Sequence, residues 1–361
     1  MKRIAICAAA TALALTFSAC SSSSDTIKDA DGNEVAKELT IYTAMSEDEL
    51  PTYFGGFEKA TGIKVNYVRL SAGEMVTRIE GEKENPQATL AYAGASDAYI
   101  QMAAEGLLSK YASPELANIP DQYKDPDGYW NPIYVGAISF ACNKDWFDKH
   151  TDVAIPQSWD DLTNPGLKGM VGMAHPSTAG TSYTVLATIM QLKGGKNIDD
   201  ADTWAYLKKL NENVPQYSKA GSAPAQDAAM GEAAVGITFA HDALKIKAKG
   251  YPLEVTFPND GTGDELGAVA LLNNPNASEA DIAAGKKFID YMLSKEGQEL
   301  YIDSASYRVP VNTQAKVADG LVTLDQLKII DYDAKWAAQT KKELVAKFQE
   351  IVDNGQNVKT S

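Results

Sequence analysis

Hydrophobic and polar residues alternate with a period of two along several short stretches, and each stretch is followed by one with helical spacing. The first, Glu38–Thr43, predicts a half-buried strand, and 63–69 predicts a second strand after a helix that ends near Gly62. A third strand is predicted over 88–93, before a helix that starts near residue 96. Strands that alternate with helices in this way predict an α/β fold with a parallel sheet covered by helices.

Two of the predicted helices begin with a capping box, in which a Ser is followed three residues later by a Glu. Ser46 and Glu49 form one such pair, and Ser71 and Glu74 form the other. The first pair predicts a helix that opens at Ser46 and runs towards residue 60.

The alternation continues beyond residue 130 and predicts a second block of structure. Strands are predicted over 133–142, 169–174, 233–239 and 253–257, with helices over 181–192, 203–211, 223–230 and 242–249. A strand over 267–272, a helix over 281–293 and a helical tail over 324–352 complete the pattern. A chain of this length exceeds what one hydrophobic core usually accommodates, which predicts two domains.

The first twenty residues have the pattern of a secretory signal peptide. Lys2 and Arg3 precede an apolar run over 4–17, which is too short for a stable transmembrane span. A Cys at position 20, followed by four Ser residues, resembles a bacterial lipoprotein signal, in which the Cys is lipidated and becomes the new amino terminus. We expect a signal peptide over 1–19, lipid on Cys20 and a location on the outer face of the cytoplasmic membrane. An ordinary signal peptide with a chance Cys and an uncleaved anchor are the alternatives.

Residues 20–37 are rich in Ser, Asp and Gly and poor in apolar side chains. This composition predicts a flexible tether between the lipid and the folded body. Order is expected to begin at Glu38.

Composition narrows the classes of partner. The formal net charge is −15, and removal of the two cations in 1–19 would make it about −17. We expect no nucleic-acid partner, because nucleic-acid binding requires clustered Lys and Arg. Of the three cysteines, Cys7 lies in the signal peptide and Cys20 would carry lipid, so Cys142 has no partner for an intramolecular disulfide in the mature chain.

An ordered set of short motifs resembles the substrate-binding proteins of bacterial ABC importers. The resemblance is to the branch that groups ferric-ion binders with binders of sugar phosphates and phosphonates. The matching stretches are 39–42, 57–65, 71–74 with 78–79, 180–183, 231–232 before the strand to Phe239, and 288–298. They extend from residue 38 to about residue 312.

The resemblance implies a two-lobe type II periplasmic-binding-protein fold with two crossover hinge strands, which closes on a ligand between the lobes. On it, lobe one is 38–130 plus 262–312, and lobe two is 131–261 plus 313–361. It also implies a monomeric carrier, not an enzyme and without a cofactor, whose partners are a small solute, an ABC permease and its ATPase. Lipid on Cys20 would hold the carrier at the membrane beside the permease.

The ferric-binding members hold iron through an early His, a Glu after the third strand and adjacent tyrosines after a strand of the second lobe. Here Ser46 falls near the His position, 94–96 near the Glu position, and Ala240 with His241 at the Tyr pair. These residues do not replace the hard anionic oxygen ligands that ferric iron prefers, so no metal site is expected. Ferric iron, direct or held through a carrier such as citrate, is the alternative ligand.

Polar residues at predicted helix starts suit an anionic organic ligand. Helix N-termini present free backbone N–H groups and a positive dipole end, which favour phosphate, phosphonate or carboxylate. The simpler explanation for each residue is a helix cap, although open α/β sheets also place ligands at such strand ends. The candidates are Ser46, Ser71, Ser96, Thr181 and Ser222.

His241 and Asp242 follow a strand and open a helix, at the position where the resembled sugar-phosphate binders also carry His-Asp. The resemblance further implies that Glu265 contacts ligand hydroxyls and that Ser222 lies on the phosphate side. The alternative is that Asp242 caps the helix and His241 is a half-buried surface residue.

Three weaker candidates for the cleft are His175 at a strand end, Tyr183 as a stacking residue, and Arg308, whose guanidinium offers a fork to an oxyanion. The histidines have no zinc-ligand spacing, and the chain has neither a Gly-x-Ser-x-Gly elbow nor a P-loop. Two hypotheses of other classes stay open: an extracellular hydrolase that uses His241 and Asp242 as acid and base, and an adhesive or sensory lipoprotein.

Overall fold

A computed structural model of the chain describes residues 25–353. Its strands are β1 (Thr26–Lys28), β2 (Glu34–Ala36), β3 (Glu38–Thr43), β4 (Lys64–Arg69), β5 (Leu90–Ala95), β6 (Leu108–Ser109), β7 (Asn131–Asn143), β8 (Val171–Ala174), β9 (Tyr217–Ser218), β10 (Val235–Phe239), β11 (Leu253–Thr256), β12 (Asp264–Leu272) and β13 (Val309–Pro310). Its helices are α1 (Leu50–Thr61), α2 (Ala72–Gly81), α3 (Ser96–Ala104), α4 (Lys144–Lys149), α5 (Gly180–Gly194), α6 (Ala201–Asn211), α7 (Ala223–Met230), α8 (Ala240–Ala248), α9 (Glu279–Leu293), α10 (Lys295–Asp303) and α11 (Ala334–Phe348). The predicted signal peptide and Cys20 lie outside the described residues.

Between residues 25 and 353, eleven strands form one curled sheet. Its main path runs β4–β3–β5–β12–β7–β10–β8–β9, while β6 pairs with β12, and β11 and β13 pair with β7. The strands β4, β3 and β5 are parallel to one another, and so are β10, β8 and β9. The two sets are joined through β12 and β7, which run antiparallel to each other and to their outer neighbours. The predicted α/β fold is therefore confirmed, with an antiparallel centre that the alternation did not predict.

The strands β7 and β12 are the crossover strands. The first half of β7 pairs with β12 and β13, and its second half pairs with β10 and β11. At the changeover, the Ile138 amide donates to the Gly263 carbonyl oxygen at 3.1 Å. The Thr262 hydroxyl donates to the Ile138 carbonyl oxygen at 2.8 Å. These two bonds tie the crossover strands together at the point where the chain passes from one lobe to the other.

Buried apolar side chains form separate clusters on the two sides of the crossover. One cluster takes its members from 138–239 and from 337–352, with Trp159 and Tyr183 among the buried rings. Two others combine 35–135 with 266–311. This distribution is compatible with the lobe boundaries expected from the sequence, and those boundaries remain a prediction.

An N-terminal hairpin occupies much of the segment expected to be a tether. Strands β1 and β2 pair in antiparallel register, and Val35 and Ala36 are buried in the lobe-one core. Lys287 of α9 holds the turn through an ion pair with Asp29 at 2.7 Å. The expectation of a flexible tether is therefore wrong for residues 26–36, because the few apolar side chains of this segment are used in packing.

The two predicted capping boxes have different outcomes. Ser71 caps α2, and its hydroxyl and backbone N–H both bond with Glu74, as predicted. The box at Ser46 is wrong, because α1 begins only at Leu50 and the Glu49 carboxylate binds other side chains. The Ser46 hydroxyl is consequently not used as a cap.

The tail expected to be helical over 324–352 is an α-helix only over Ala334–Phe348. The preceding segment passes back to lobe two, and Ile329 forms an isolated parallel bridge with Thr262 at the crossover. No helix between residues 25 and 353 has the length and apolar composition needed to cross a membrane.

Candidate functional site

A narrow cavity of about 70 Å³ lies between the two lobes. Residues from strand ends and helix starts of both lobes line it. Those with polar or aromatic side chains are Ser46, Arg69, Ser71, Tyr134, Thr181, Ser222, Phe239, His241, Asp242, Glu265 and Arg308.

The carboxylate cluster, as we name it, consists of Glu265, Asp242, His241 and Tyr134. The Tyr134 hydroxyl donates to Oε1 of Glu265 at 3.2 Å. The His241 ring stacks against Phe239 and meets the Tyr134 ring edge-on, with centroids 5.9 Å apart. Within the described part of the chain, Oε2 of Glu265 and Nδ1 of His241 are buried without a hydrogen-bond partner. Buried polar atoms normally have partners, so these two atoms have hydrogen-bonding capacity that the described residues do not use.

Burial sets the protonation of this cluster. It raises the pKa of Glu265 to about 8, against the lowering effect of Arg308, and the charge of Asp242 raises it further. Burial likewise raises the pKa of Asp242 to about 6. It holds the pKa of His241 well below its usual value, and the charges of Arg308 and Lys245 act in the same direction. Near pH 7 the cleft therefore has a neutral imidazole and a protonated Glu265.

The Glu49 carboxylate holds the Arg308 side chain in position. The guanidinium forms an ion pair with Oε2 of Glu49 through Nη1 and lies over the Tyr134 ring, 4.9 Å from its centroid. Its Nε is buried and makes no hydrogen bond to any described residue. One donor of the ion-paired guanidinium thus has no hydrogen-bond partner among the described residues.

The hydroxyl cluster, as we name it, consists of Ser46, Thr181 and Ser222. Ser222 precedes α7 without capping it through its side chain, and Thr181 is the second residue of α5. Hydrogen bonds from these three side chains to other parts of residues 25–353 are absent. Arg69, at the end of β4, lies at the same cavity and donates from Nε only to the Met45 carbonyl oxygen at 3.4 Å.

Three helix N-termini converge on this hydroxyl cluster. A Cβ placed at Gly180 of α5 would lie 3.3 Å from the Cβ of Ala72 in α2. A Cβ at Gly221, just before α7, would overlap the Thr181 hydroxyl. The close approach of the two lobes extends to Gly73, where a Cβ would lie 2.8 Å from the Ser177 carbonyl oxygen. The first turn of each helix carries amide donors without intrahelical partners, so this corner of the cavity suits an anion.

The structure brings most of the predicted site residues into one cavity. They are Ser46, Ser71, Thr181, Ser222, His241, Asp242 and Glu265, together with the weaker candidate Arg308. Asp242 is the third residue of α8 and does not cap it, since the cap position is Phe239.

Three candidates lie elsewhere. Ser96 lines a separate cavity of about 560 Å³ behind the crossover strands. His175 is buried in the lobe-two core, where its Nδ1 bonds with the Ser177 hydroxyl at 2.6 Å and its Nε2 lies 3.4 Å from Asp353. The Tyr183 hydroxyl donates to the Ala337 carbonyl oxygen inside the same core.

Sequence reasoning missed Arg69, Tyr134 and Glu49 as parts of this site. Arg69 ends a strand just before Ser71, so its position beside a candidate helix start was a usable signal. No local pattern indicates that Glu49 meets Arg308, which lies 259 residues away in the chain.

Residues 90–335 match the family model described as bacterial extracellular solute-binding protein. The chain belongs to this family. This chain is similar in structure to the periplasmic binding protein AfuA from Actinobacillus pleuropneumoniae. The AfuA structure was solved with exogenous fructose-6-phosphate bound. The two chains are 36% identical with a TM-score of 0.82, and the match covers 88% of this chain and 99% of the other.

Two relatives in sequence extend the comparison. An uncharacterized protein of Haemophilus influenzae is 36% identical over 87% of this chain and 90% of its own length. A putative 2-aminoethylphosphonate-binding periplasmic protein of Salmonella typhi is 27% identical over 74% of this chain and 75% of its own length.

The predicted family and the two-lobe fold are therefore confirmed. The solute-binding protein serves an ABC importer, with a small solute as ligand and a permease as partner, and it works outside the cytoplasm. Its family and its relatives are binding proteins of transporters.

Proposed function

We propose that the cleft binds a small organic phosphate, with a sugar phosphate favoured, and delivers it to the permease. The observation that carries this proposal is the placement of the hydroxyl cluster, with its three helix N-termini, in the same cavity as the carboxylate cluster. A ligand with an anionic group and several hydroxyl groups satisfies both.

The anionic group would lie against the hydroxyl cluster. The donors are three hydroxyls without partners in the described part of the chain, amide groups in the first helical turns and the Arg69 guanidinium. Charge-assisted hydrogen bonds to an oxyanion are about twice as strong as neutral ones. This local arrangement offsets the unfavourable long-range field of an acidic protein.

The hydroxyl groups of the ligand would lie against the carboxylate cluster. Nδ1 of His241 and the carboxylate of Asp242 can accept hydrogen bonds from a polyol, while Oε2 of the protonated Glu265 carboxyl group can donate one to a hydroxyl oxygen. Buried polar atoms that lack partners penalise any ligand without matching groups, which is how a site rejects simple phosphate. The likeness to a protein solved with fructose-6-phosphate supports this choice.

An aminophosphonate is the second candidate, and the acidic residues of the cleft favour it. An ammonium group could replace the sugar hydroxyls beside Asp242 and Glu265, with the phosphonate at the hydroxyl cluster. The relative described as a putative 2-aminoethylphosphonate-binding protein supports this alternative. Ferric iron held through a carrier anion is a third outcome, although within residues 25–353 no group of three or more His, Cys, Asp or Glu side chains is placed to hold a metal ion.

The carrier would be a monomer without enzymatic activity, anchored through lipid on Cys20 to the outer face of the membrane. The signal pattern of residues 1–20 supports the anchor. A hydrolase that uses His241 and Asp242 predicts turnover instead, and release of inorganic phosphate by the purified protein would establish it.

A thermal-shift screen tests the proposed ligand. Fructose-6-phosphate, 2-aminoethylphosphonate, inorganic phosphate, spermidine, thiamine and ferric citrate are added separately to the purified mature chain. A true ligand at a hundred times its Kd should stabilise the fold by about 2.7 kcal/mol. A shift with ferric citrate alone would overturn the assignment to organic phosphates.

A double variant with a matched control locates the site. His241→Ala with Asp242→Ala should abolish the shift. His150→Ala with Asp152→Ala changes the same residue types at exposed positions of lobe two and should leave it intact. Equal shifts in both double variants would rule out the proposed cleft while sparing the fold.

A further inference from the structure

Lys245 bridges the two lobes beside the cleft. It lies on α8, which packs in the small apolar cluster that includes Ala243, Ile246 and Leu253 of lobe two. Its Nζ donates to Asp48 at 2.7 Å and to Oε1 of Glu49 at 2.8 Å. Both carboxylates precede α1 in lobe one, so this bridge exists only when the lobes are closed.

Glu49 connects this bridge to the ligand cavity. While Oε1 accepts from Lys245, Oε2 accepts from the Tyr53 hydroxyl at 2.8 Å and pairs with Arg308. Tyr53 and Arg308 belong to lobe one, and the Glu49 side chain is only 1% exposed. A single buried carboxylate therefore holds a cavity-lining guanidinium on one oxygen and the lobe-two lysine on the other.

Lys245 and the ligand-facing histidine move as one body. His241 and Lys245 are four residues apart on α8, which places them on the same helical face. Closure of lobe two that brings His241 into the cavity must also bring Lys245 to Glu49.

Each charge of this arrangement has an opposite charge beside it without a ligand. Arg308 and Lys245 face Asp48 and Glu49, and the exposed Lys249 lies 3.8 Å from Asp48. The Glu49 carboxylate already has Arg308 and Tyr53 of lobe one as partners, and closure brings the Lys245 ammonium to a position where it gains two acceptors. The interlobe pair of Lys219 and Glu74 is different, because both side chains are about half exposed and such pairs contribute little.

We propose that Glu49 and Lys245 form an interlobe latch in which Glu49 is a positioning residue for Arg308. The latch lets the cleft close without ligand for part of the time and slows the release of bound ligand. The part of this inference that concerns ligand release rests on the proposed function of the cleft, whereas the part that concerns closure does not.

The first test needs no ligand. Small-angle X-ray scattering or a fluorescence pair across the lobes reports closure of the ligand-free protein. Lys245→Met keeps the length of the side chain and removes its charge, and it should open the average conformation. Lys247→Met removes a charge from an exposed position of the same helix, where the described residues offer it no ion pair, and it should behave as wild type. Equal compactness of Lys245→Met and wild type would overturn the latch.

The second test uses fructose-6-phosphate as the probe. Loss of the latch should raise its dissociation rate about tenfold, because a less stable closed complex opens more often and interface substitutions act mainly on the dissociation rate. Asp48→Asn, at a half-exposed position that should not disturb folding, should give an intermediate increase. An unchanged dissociation rate in Lys245→Met would contradict the latch. If wild type does not bind fructose-6-phosphate, the proposed ligand fails, and the scattering result alone decides for or against the latch.

Discussion

Tyr134 donates its hydroxyl hydrogen to one oxygen of Glu265, and the second oxygen of that carboxyl group is buried without a partner among the described residues. The two residues lie on the two crossover strands, β7 and β12, next to the changeover between the lobes. A group that we propose contacts the ligand is thus placed on the hinge itself. Because burial raises the pKa of Glu265 to about 8, this carboxyl group carries a proton at neutral pH.

This raised pKa makes stability depend on pH. The folded protein binds the Glu265 proton more tightly than the unfolded chain does, since the usual pKa is 4.5. The stabilisation is complete below about pH 4.5, falls as pH rises and is gone above about pH 8, with a slope of at most about 1.4 kcal/mol per pH unit. Glu265→Gln should remove this slope. The free energy of unfolding of wild type should therefore fall relative to that of the variant as the pH rises from 5 to 8.

Chemical denaturation at a series of pH values measures this difference. Asp242 and His241 also titrate, but their contributions are present in both proteins and largely cancel in the comparison. Parallel curves for wild type and Glu265→Gln would show that Glu265 has an ordinary pKa.

Arg69 should contribute to affinity for the anionic group. Its guanidinium lies at the cavity without a carboxylate partner among residues 25–353. Arg69→Met should weaken binding of fructose-6-phosphate about ten- to hundredfold, the range for loss of a hydrogen bond to a charged group. Titration calorimetry gives the Kd, and Lys64→Met, an exposed charge at the other end of β4, serves as control. Equal Kd values for both variants would exclude Arg69 from the site.

Substitutions of Ser222 and Ser278 should distinguish a role in ligand binding from a role in helix capping. Ser278 caps α9 with a complete capping box, while the Ser222 side chain caps nothing. Ser278→Ala should lower the free energy of unfolding by about 1 kcal/mol and leave ligand affinity unchanged. Ser222→Ala should change stability by less than about 0.5 kcal/mol and weaken ligand binding about tenfold. The reverse pattern would return Ser222 to a purely structural role.

His175 should matter for stability alone. Its ring is 1% exposed and meets Tyr217 and Phe348 edge-on. His175→Ala should cost about 2–4 kcal/mol in the free energy of unfolding, as large-to-small substitutions in cores do. The exposed His150 gives the matched control, for which His150→Ala should be close to neutral. Reduced affinity for the ligand in folded His175→Ala would contradict its placement outside the cleft.

Local patterns predicted the parts of this protein that depend on neighbouring residues. The alternation of strands and helices, the cap at Ser71 and the strand-end position of His241 all depend on spacing within about ten residues. The antiparallel centre of the sheet could not be predicted in this way, because β7 and β12 are more than a hundred residues apart.

The failures at Ser46 and Ser96 have separate physical causes. Glu49 was expected to cap at Ser46, but ion pairs with distant Lys245 and Arg308 hold its carboxylate. Ser96 follows a turn in which Ala93 and Gly94 both have positive φ. As a result, Gly94 lines the cavity between the lobes, whereas Ser96 lines the separate cavity behind the crossover strands. Neither the ion pairs nor the turn could be inferred from the spacing of Ser and Glu.

The short distance between Gly73 and the Ser177 carbonyl oxygen has a consequence for the energetics of transport. Gly73 is the second residue of α2, and Ala is a better helix former than Gly. A methyl group there would favour lobe one when it stands alone and collide with lobe two when the cleft shuts. The missing side chain therefore acts as a clearance between two moving parts. It allows the backbones of the two lobes to reach the close approach found at this point.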